Sequence, residues 1–345
     1  MYRTPTIEAG EGAVRRLRDL KDVVTVVTMP EPWELLRQSV DWEPAHIHMI
    51  SSMDHDELER LDRALPPCDV VVGLGGGSAM DTAKYLAWKR GCRMVLTPTI
   101  TSVDAALTNT VGVRVNGKVK YVGNIFPEDI VIDYEVIRQA PKELNRAGAC
   151  DILSIHTALY DWWLAHERNG EAYDAAIAQE AQACLDELDR NASEVYDVTP
   201  RGIDTLIDLF RREVALCARF GSSRPEEGSE HIVAYAMEHL TRRHFVHGDL
   251  VGLGIAAMSW LQGNEPDKAI DLMNRVGLRY VCPDASDAEV HACLLGLKAF
   301  KDKAELFYSI IDVEPITKSF LDACIGALRH GDKGRNAAFQ FDSGR

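Results

Sequence analysis

Paired cysteines are missing from this sequence. It holds eight scattered cysteines, and none of them forms a Cys-x-x-Cys pair. That spacing is typical of cysteine zinc sites and redox motifs, and disulfide frameworks belong mainly to small secreted proteins. The scatter therefore favours free thiols in a reducing compartment, and we expect a cytoplasmic protein without a cysteine zinc site.

Long apolar runs and an excess of basic residues are missing as well. The longest apolar stretch, Leu250–Leu261, is too short to span a bilayer, and the opening residues MYRTPTIEAGEG lack the apolar core of a signal peptide. Acidic residues outnumber basic residues by 53 to 38, which gives a net charge of −15. Nucleic acids and anionic membranes select basic surfaces, so we expect neither as a partner.

The chain is long enough for two domains, and its two parts carry different patterns. Its 345 residues are 46% hydrophobic and 26% charged, as in ordinary globular proteins. Up to residue 145, short β patterns alternate with helical ones, which predicts a parallel sheet covered on both faces. Beyond residue 145, helical patterns dominate. We therefore predict an α/β domain over residues 1–145 and an all-helical domain over residues 146–345.

The individual elements follow from the same patterns. Asp54 is predicted to cap a helix, and Asn116-Gly117 predicts a β-hairpin that interrupts the wound sheet. The predicted strands are Val23–Thr28, Ile47–Ser51, Val70–Val72, Met94–Leu96, Val111–Val115, Val119–Val122 and Ile130–Ile132. The predicted helices of the first part are Gly10–Leu20, Pro32–Gln38 and Asp54–Leu65. Those of the second part are Asp151–His166, Ala172–Asp189, Pro200–Phe220, Ser229–Arg243, Gly248–Gln262, Pro266–Val276, Asp287–Ala299 and Glu314–Leu328.

A glycine-rich turn between a strand and a helix is the first candidate site. The stretch GLGGGSAMDTAK (73–84) follows Val70–Val72 and opens a helical pattern. Successive glycines let a backbone approach a phosphate closely, and a helix N-terminus favours an anion. The spacing departs from the usual dinucleotide fingerprint, because Ser78 stands where a third glycine is expected. A tight turn without a ligand is the alternative, but three glycines in a row favour phosphate binding.

A carboxylate and two imidazoles in the helical part are the second candidate site. Asp151 stands near a predicted helix start, and His231 and His247 lie at the starts of two further helical patterns. Two imidazoles and one carboxylate leave an open position on a tetrahedral metal, as a catalytic site needs. Spacing alone does not bring these three residues together, and the eleven histidines allow other triples that include His239 and His244.

These two stretches together resemble the superfamily of glycerol dehydrogenases, iron-containing alcohol dehydrogenases and dehydroquinate synthases. The resemblance is closest to the sn-glycerol-1-phosphate dehydrogenase branch, and it runs from Gly10 to about Val313. It implies an N-terminal α/β dinucleotide-binding domain and an all-helical C-terminal domain, with zinc or iron in the cleft between them. The metal ligands would be Asp151, His231 and His247. The matching blocks are GLGGGSAMDTAK (73–84), PTITSVDAALTN (98–109), APKELNRAGACDILS (140–154), ALYDWW (158–163), GSEHIVAYAMEH (228–239) and HGDLVGLGI (247–255).

The resemblance also implies roles for residues around the cofactor NAD or NADP. Asp104 would face the substrate hydroxyl, although it could instead cap a short helix. His244, one helical turn before His247, would pass a proton to solvent unless it is only a surface histidine. Lys84 would be a charge near the cofactor, with a helix-face salt bridge as the alternative. The cofactor-binding residues would be Gly75, Gly76, Gly77, Ser78, Asp81, Lys84, Thr97, Thr99 and Ser102.

Two departures from the family pattern concern specificity. Family members commonly carry an acidic residue after the first strand, where it binds the adenine ribose; here that position is Met29, and Glu31 is the nearest substitute. The glycerol-1-phosphate branch usually has small residues and a glycine after the aspartate, where this chain has Ala105-Ala106-Leu107-Thr108-Asn109. The first departure leaves open whether the cofactor is NAD or NADP. The second leaves open whether the substrate carries a phosphate.

The leading hypothesis is an NAD(P)-linked, metal-dependent dehydrogenase that interconverts a small polyol, or its phosphate, with the ketone. The main alternative is a lyase of the dehydroquinate-synthase or sugar-cyclase type, which would use NAD within one turnover and need basic residues such as Arg242 and Arg243. A nucleotide-binding sensor without chemistry is a third possibility. Trp162, Trp163 and Trp260 lie in apolar helical patterns typical of a core or a subunit interface, and we expect a homo-oligomer.

Overall fold

A computed structural model describes residues 5–115 and 118–331. The chain divides into two compact units, each with its own internal contacts. Unit 1 contains the chain up to Gly148 together with Glu194–Arg211, and unit 2 contains Ala149–Ser193 together with the chain from Arg212. The predicted division after residue 145, in the sense of separately folding domains, stays a prediction.

Unit 1 is built on a six-stranded sheet in which every neighbouring pair is parallel. The strand order is β1-β8-β5-β4-β2-β3. Representative registers pair Val26 with Val72 and Val72 with Val95. The parallel sheet and the helical remainder of the chain confirm the predicted fold class. The strands are β1 Thr6–Gly10, β2 Val24–Thr28, β3 His46–Met49, β4 Val70–Gly75, β5 Arg93–Pro98 and β8 Asp129–Asp133.

The two faces of this sheet bury different helices. One face presents Val24, Val26, Val70 and Val72, which share a core with Leu36 and with other residues of the helices on that side. The opposite face carries Gly73, whose missing Cβ would lie 2.8 Å from Ala83 Cβ. Helices therefore cover both faces, as the alternation of strand and helix predicts. The helices that complete the first part of the chain are α1 Pro30–Ser39, α2 His55–Ala64, α3 Gly77–Arg90, α4 Tyr134–Gln139 and α5 Lys142–Ala147.

The first thirty residues of the chain correct one prediction. A single helix over Gly10–Leu20 is wrong, because the structure has strand β1 up to Gly10 and a 3₁₀ helix over Ala13–Asp19. Gly12 between them has φ +71°, a left-handed conformation that glycine adopts at low cost.

The predicted Asp54 cap is confirmed, since its side chain accepts from Asp56 N at the start of α2.

A two-stranded antiparallel sheet stands apart from the parallel one. β6 Thr110–Val115 pairs with β7 Lys118–Asn124, and Val115 lies opposite Lys118. The pairing of the two strands confirms the predicted hairpin arms. The predicted turn, Asn116-Gly117, lies outside the described residues.

Unit 2 is helical throughout its described part. The helical patterns predicted beyond residue 145 are present, and Pro200–Phe220 and Pro266–Val276 have the predicted bounds. The first of these two helices belongs to unit 1 as far as Arg211. Within residues 5–115 and 118–331, no helix combines the length and apolar character needed to cross a membrane. The helices from Ala149 onward are α6 Ala149–Asn169, α7 Ala175–Arg190, α8 Ala192–Asp197, α9 Pro200–Phe220, α10 Ser229–Thr241, α11 His247–Gln262, α12 Pro266–Val276, α13 Asp287–Ala304 and α14 Lys318–Gly331, with a 3₁₀ turn at Ile310–Asp312.

Candidate functional site

The parallel sheet has a topological switch point between β2 and β4. The chain leaves β2 toward β3 on one side and leaves β4 toward β5 on the other, and α1 and α3 pack on opposite faces. Ligands of open α/β sheets bind outside the carboxyl ends of the strands at such a point. Here those ends carry Met29, which follows β2, and the glycine turn that follows β4.

Backbone conformation or close packing explains each glycine of the turn. Gly75 has φ +146°, which side chains rarely adopt. A Cβ on Gly76 would lie 2.8 Å from Ile100 Cδ1, and one on Gly77 would lie 3.1 Å from Val103 Cγ2. Gly73 brings β4 close to α3. The glycines therefore follow from packing and conformation, and their number alone does not demonstrate a phosphate site.

The start of α3 offers the donors that an anion needs. Its N-cap is Gly76, which has no side chain to accept from the first amides of the helix, so in the described structure the amides of Gly77 and Ser78 are left to another acceptor. Nearby, Thr97 Oγ1 is buried without a hydrogen-bond partner in the described part of the chain. Thr97 lies opposite Leu74 at the carboxyl end of β5. A cofactor hydroxyl or phosphate at this edge would satisfy both groups, so the residues fit a dinucleotide.

Lys84 and Asp81 form an ion pair within α3. Lys84 Nζ lies 2.7 Å from Asp81 Oδ1 and donates to Thr108 Oγ1 at 3.1 Å. Lys84 is buried, so its charge is balanced by the carboxylate one turn earlier. The pair matches the helix-face salt bridge weighed as the alternative for Lys84, and contact of either residue with a cofactor stays a prediction.

The remaining predicted residues of unit 1 lie along the loop after β5. Thr99 is buried, and its amide donates to Gly75 O at 2.9 Å, which ties the loop to the glycine turn. Ser102 and Asp104 are half-buried. Asp104 O accepts from Leu107 N at 2.7 Å, so a tight turn begins at this residue. Ser78 lies in the first turn of α3.

In unit 2, three helix starts bring the predicted metal ligands together. Asp151 is the third residue of α6, His231 the third of α10, and His247 the first of α11. Asp151 Oδ1 lies 3.3 Å from His247 Nε2 and 3.9 Å from His231 Nε2. Tetrahedral zinc bonds imply about 3.3 Å between nitrogen and oxygen ligands. The arrangement fits a divalent metal, and ligation by these residues stays a proposal.

Glu230 orients His231. This carboxylate is fully buried, and its Oε1 accepts from His231 Nδ1 at 2.9 Å and from Gly228 N at 2.6 Å. Its Oε2 accepts from Thr157 Oγ1 at 2.7 Å. Since Nδ1 donates to Glu230, the ring is held with its other nitrogen, Nε2, facing Asp151. A carboxylate behind a ligating histidine is the usual way in which proteins fix the ring of a metal ligand.

The surroundings of His231 favour a positive charge. Burial by itself would lower the pKa of the imidazole, but the Glu230 hydrogen bond and the charges of Glu227, Glu230 and Asp151 raise that pKa to about 10. Burial would raise the pKa of Asp151, but the hydrogen bond to His247 and the nearby imidazole charges lower it. A proton or a metal cation near Nε2 satisfies both groups.

The other predicted histidine lies elsewhere. His244 stands in the loop before α11 with its side chain 64% exposed, and Nδ1 lies 3.5 Å from Glu238 Oε1. It does not belong to the donors gathered around Asp151 Oδ1 in the described chain. A role for His244 in proton transfer stays a prediction, and its exposure matches the surface alternative.

Two residues of this site were not singled out from the sequence. One is Glu230, whose position directly before a candidate ligand is the available signal. The other is Cys150, whose Sγ lies 3.0 Å from Asp151 Oδ1; ligand atoms of Cys150, Asp151 and His247 all lie within 4.8 Å of one another. The absence of a Cys-x-x-Cys pair directed attention away from this cysteine.

Comparison with known sequences identifies relatives of the whole arrangement. Residues 23–141 match the family model for iron-containing alcohol dehydrogenase. A glycerol-1-phosphate dehydrogenase (NAD(P)+) of Hyperthermus butylicus is 30% identical over 288 residues, which are 79% of this chain and 82% of that protein. A protein of the same name from Aeropyrum pernix is 34% identical over 210 residues, 61% of this chain and 59% of the relative. The chain thus spans about three fifths of this second relative.

Solved structures share the fold. A probable glycerol dehydrogenase from Sinorhizobium meliloti 1021 superposes with a TM-score of 0.69 at 18% identity, covering 96% of this chain and 99% of that one. Glycerol dehydrogenase from Schizosaccharomyces pombe gives 0.68 at 19% identity, with 96% and 91% covered. These structures confirm the fold, and the sequence comparisons confirm the predicted resemblance: the chain belongs to the iron-containing alcohol dehydrogenase family.

Proposed function

We propose that this protein is a metal-dependent NAD(P)-linked oxidoreductase that interconverts a small polyol, or a polyol phosphate such as glycerol 1-phosphate, with its ketone. The observation that carries the proposal is the gathering of one carboxylate and two imidazoles at three helix starts, with Asp151 Oδ1 3.3 Å from His247 Nε2. The names of the relatives support the polyol phosphate and the NAD(P) cofactor.

The residues of unit 2 have distinct tasks in this proposal. A divalent metal held by Asp151, His231 and His247, zinc or iron, would supply Lewis-acid stabilisation of the substrate oxygen. Glu230 keeps Nε2 of His231 directed toward Asp151. His247 has a side chain 37% exposed, so the site is open to solvent on that side. This opening is where a substrate hydroxyl would enter.

The residues of unit 1 bind the cofactor in this proposal. The amides at the start of α3 would bind the pyrophosphate, with Gly75, Gly76, Gly77 and Ser78 beneath it. Thr97, Thr99 and Ser102 would line the cofactor further along the strand edge. Asp104 would orient a second substrate hydroxyl, while the cofactor itself supplies the hydride chemistry.

The lyase alternative is not favoured. It depends on free basic groups for a phosphate leaving group, and Arg243 is committed to other contacts: Nη2 lies 2.6 Å from Glu289 Oε1, and Nη1 donates to Asp284 O. The names of the sequence relatives are those of dehydrogenases.

The test is reduction of candidate ketones by the metal-loaded full-length protein. NADH and NADPH are each combined with dihydroxyacetone phosphate, dihydroxyacetone and small aldehydes, and nicotinamide absorbance and phosphate release are followed together. We expect cofactor oxidation with at least one of these ketones. Phosphate release without net cofactor oxidation would identify the lyase instead, and inactivity across the whole panel would contradict the proposal.

Assembly and location are part of the proposal. We expect a cytoplasmic homo-oligomer without a nucleic-acid or membrane partner. Trp162 is buried within unit 2, whereas Trp163 has an exposed fraction of 50% and could meet another subunit. Light scattering coupled to size-exclusion chromatography measures the molar mass, and a monomer at all concentrations would contradict this part.

A further inference from the structure

Two thiols stand side by side at the amino edge of the parallel sheet. Cys68 lies two residues before β4, and Cys92 lies directly before β5, the neighbouring strand. Arg93 N donates to Asp69 O at 3.1 Å, so the residues that precede these two are neighbours across the strands. Both cysteines are half-buried and free. The glycine turn lies at the opposite, carboxyl edge, and the proposed function gives this pair of thiols no task.

We infer that Cys68 and Cys92 are a modification site, at which a hydroperoxide such as hydrogen peroxide converts the two thiols into a reversible disulfide. The inference needs neither the metal nor the cofactor of the proposed function. The crosslink would enclose β4, the glycine turn and α3 in one covalent loop, because all three lie between the two cysteines. Closing such a loop restricts the unfolded chain and so stabilises the fold.

The backbone allows this bond. Neighbouring strands lie about 4.8 Å apart, within the span of about 4.4–6.8 Å that a disulfide bridges between Cα atoms. The side chains of Cys92 and Cys68 are in hydrogen-bond contact. Gly91, directly before Cys92, has φ +63°, and a Cβ there would meet nothing within 4 Å. The chain at Cys92 therefore has room to adjust as the sulfurs approach each other.

Arg90 gives the two thiols different parts. Its Nη1 lies 3.9 Å from Cys68 Sγ, and the guanidinium is held in place by Asp62 Oδ1 at 2.7 Å and Pro66 O at 2.8 Å. A neighbouring guanidinium stabilises negative charge on sulfur, and the thiolate is the form that attacks an oxidant. Burial, aided by the charge and the hydrogen bond of Cys68, raises the pKa of the Cys92 thiol to about 11, so Cys92 keeps its proton. Cys68 is thus the attacking sulfur and Cys92 the resolving one.

The chemistry balances with hydrogen peroxide as the only oxidant. The Cys68 thiolate attacks one peroxide oxygen, the O–O bond breaks, and the departing hydroxide takes a proton from solvent to become water. Cys68 is then a sulfenic acid without negative charge, which removes one obstacle to deprotonation of Cys92. The Cys92 sulfur attacks the Cys68 sulfur, the S–O bond breaks, and the hydroxide leaves as water with the Cys92 proton. The two thiols lose two electrons, and the peroxide gains them.

Peptide mass mapping tests the inference. The full-length protein is fully reduced, exposed to hydrogen peroxide, alkylated and digested. We expect one crosslinked peptide that joins Cys68 to Cys92, with two thiols fewer per chain, and dithiothreitol should restore both. In Cys92→Ser the crosslink is lost and Cys68 should proceed to the sulfinic acid, since no thiol resolves it. In Cys68→Ser the crosslink is lost and Cys92 should stay a thiol.

Cys217→Ser is the matched control, because Cys217 is also a half-buried thiol but lies in α9. It should form the crosslink as the parent protein does. A folded parent protein that keeps all eight thiols under peroxide would overturn the inference. A disulfide that joins other cysteines, or loss of two thiols that persists in Cys92→Ser, would overturn it as well.

Discussion

At the scale of single residues, Glu230 determines how His231 can act. Its carboxylate accepts from His231 Nδ1 and from two further donors, so it is fully committed inside the protein. We expect Glu230→Gln to weaken binding of the divalent metal by about 10–100-fold, because the ring loses its negative partner. Isothermal titration with Zn²⁺ measures this change, and circular dichroism checks that the helices remain.

Asp161→Asn is the matched control for that prediction. Asp161 is also buried and also meets the start of α10, where Oδ2 accepts from Ser229 N at 2.7 Å. Its contacts are with backbone amides and not with an imidazole of the site. Equal losses of metal affinity in both variants would contradict the role given to Glu230.

Asp161 makes a separate prediction about pH. Burial raises its pKa to about 6, opposed by the Ser229 hydrogen bond and aided by the charge of Glu230. A carboxyl with a raised folded-state pKa binds more protons folded than unfolded, so its contribution to stability falls as pH rises from about 4 to about 6. Two pKa units correspond to about 3 kcal/mol.

The measurement compares urea unfolding of the parent protein and Asp161→Asn at pH 4, the start of that window, and at pH 7, above its end. Other titrating groups cancel in the difference between the two proteins. We expect the free energy of unfolding of the variant, relative to the parent, to rise by about 3 kcal/mol between pH 4 and pH 7. A difference that is independent of pH would show that Asp161 titrates normally.

Met29 makes a prediction about cofactor choice. It follows β2 at the switch point and is exposed, with no carboxylate in its side chain to bind a ribose or repel a 2′-phosphate. We expect the parent protein to use both NADH and NADPH. Met29→Asp should shift the ratio of kcat/KM toward NADH by about tenfold or more, measured with the ketone that proves active. An unchanged ratio would place the adenine ribose elsewhere.

At the scale of elements, Gly254 allows α11 to approach α10. A Cβ on Gly254 would lie 2.3 Å from Glu230 O. We expect Gly254→Ala to lower the free energy of unfolding by about 1–3 kcal/mol. Separating the helices also moves His247 away from His231, so metal affinity should fall as well. Chemical unfolding and metal titration measure the two effects.

The control is another helical glycine. Gly296 lies within α13, and a Cβ there would meet nothing within 4 Å. Gly296→Ala should be neutral or should stabilise the protein by about 0.5–1 kcal/mol. If both variants behave alike, close packing of α10 and α11 is not what holds the two histidines together.

Elements were predictable from the sequence where local signals mark their ends. α12 begins at Pro266 and is closed by Gly277, which has φ +75°. β1 was missed because Thr6–Gly10 is mostly exposed and its partner, β8, lies more than a hundred residues further along the chain. The prediction of one helix over Gly10–Leu20 was wrong because Gly10 ends β1 and Gly12 has a left-handed conformation, so neither residue continues a helix. Long-range pairing leaves little trace in a local pattern.

At the scale of the whole molecule, the class of fold was predictable and its order was not. The alternation of strand and helix predicts a parallel sheet, but nothing local indicates that β8 lies between β1 and β5. Likewise, Glu194–Arg211 packs with unit 1 although it lies within the helical half of the chain. The candidate ligands Asp151, His231 and His247 were predicted through family resemblance, because separation along the chain says nothing about convergence.

The most direct test of the central claim is the metal content of the purified protein and of three single variants. Each protein is stripped, loaded with Zn²⁺ and analysed by mass spectrometry and calorimetry. We predict one tightly bound ion per chain in the parent protein, and at least about tenfold weaker binding in Asp151→Asn, His231→Ala and His247→Ala. Parent-like affinity in all three variants, with each still folded, would contradict the account.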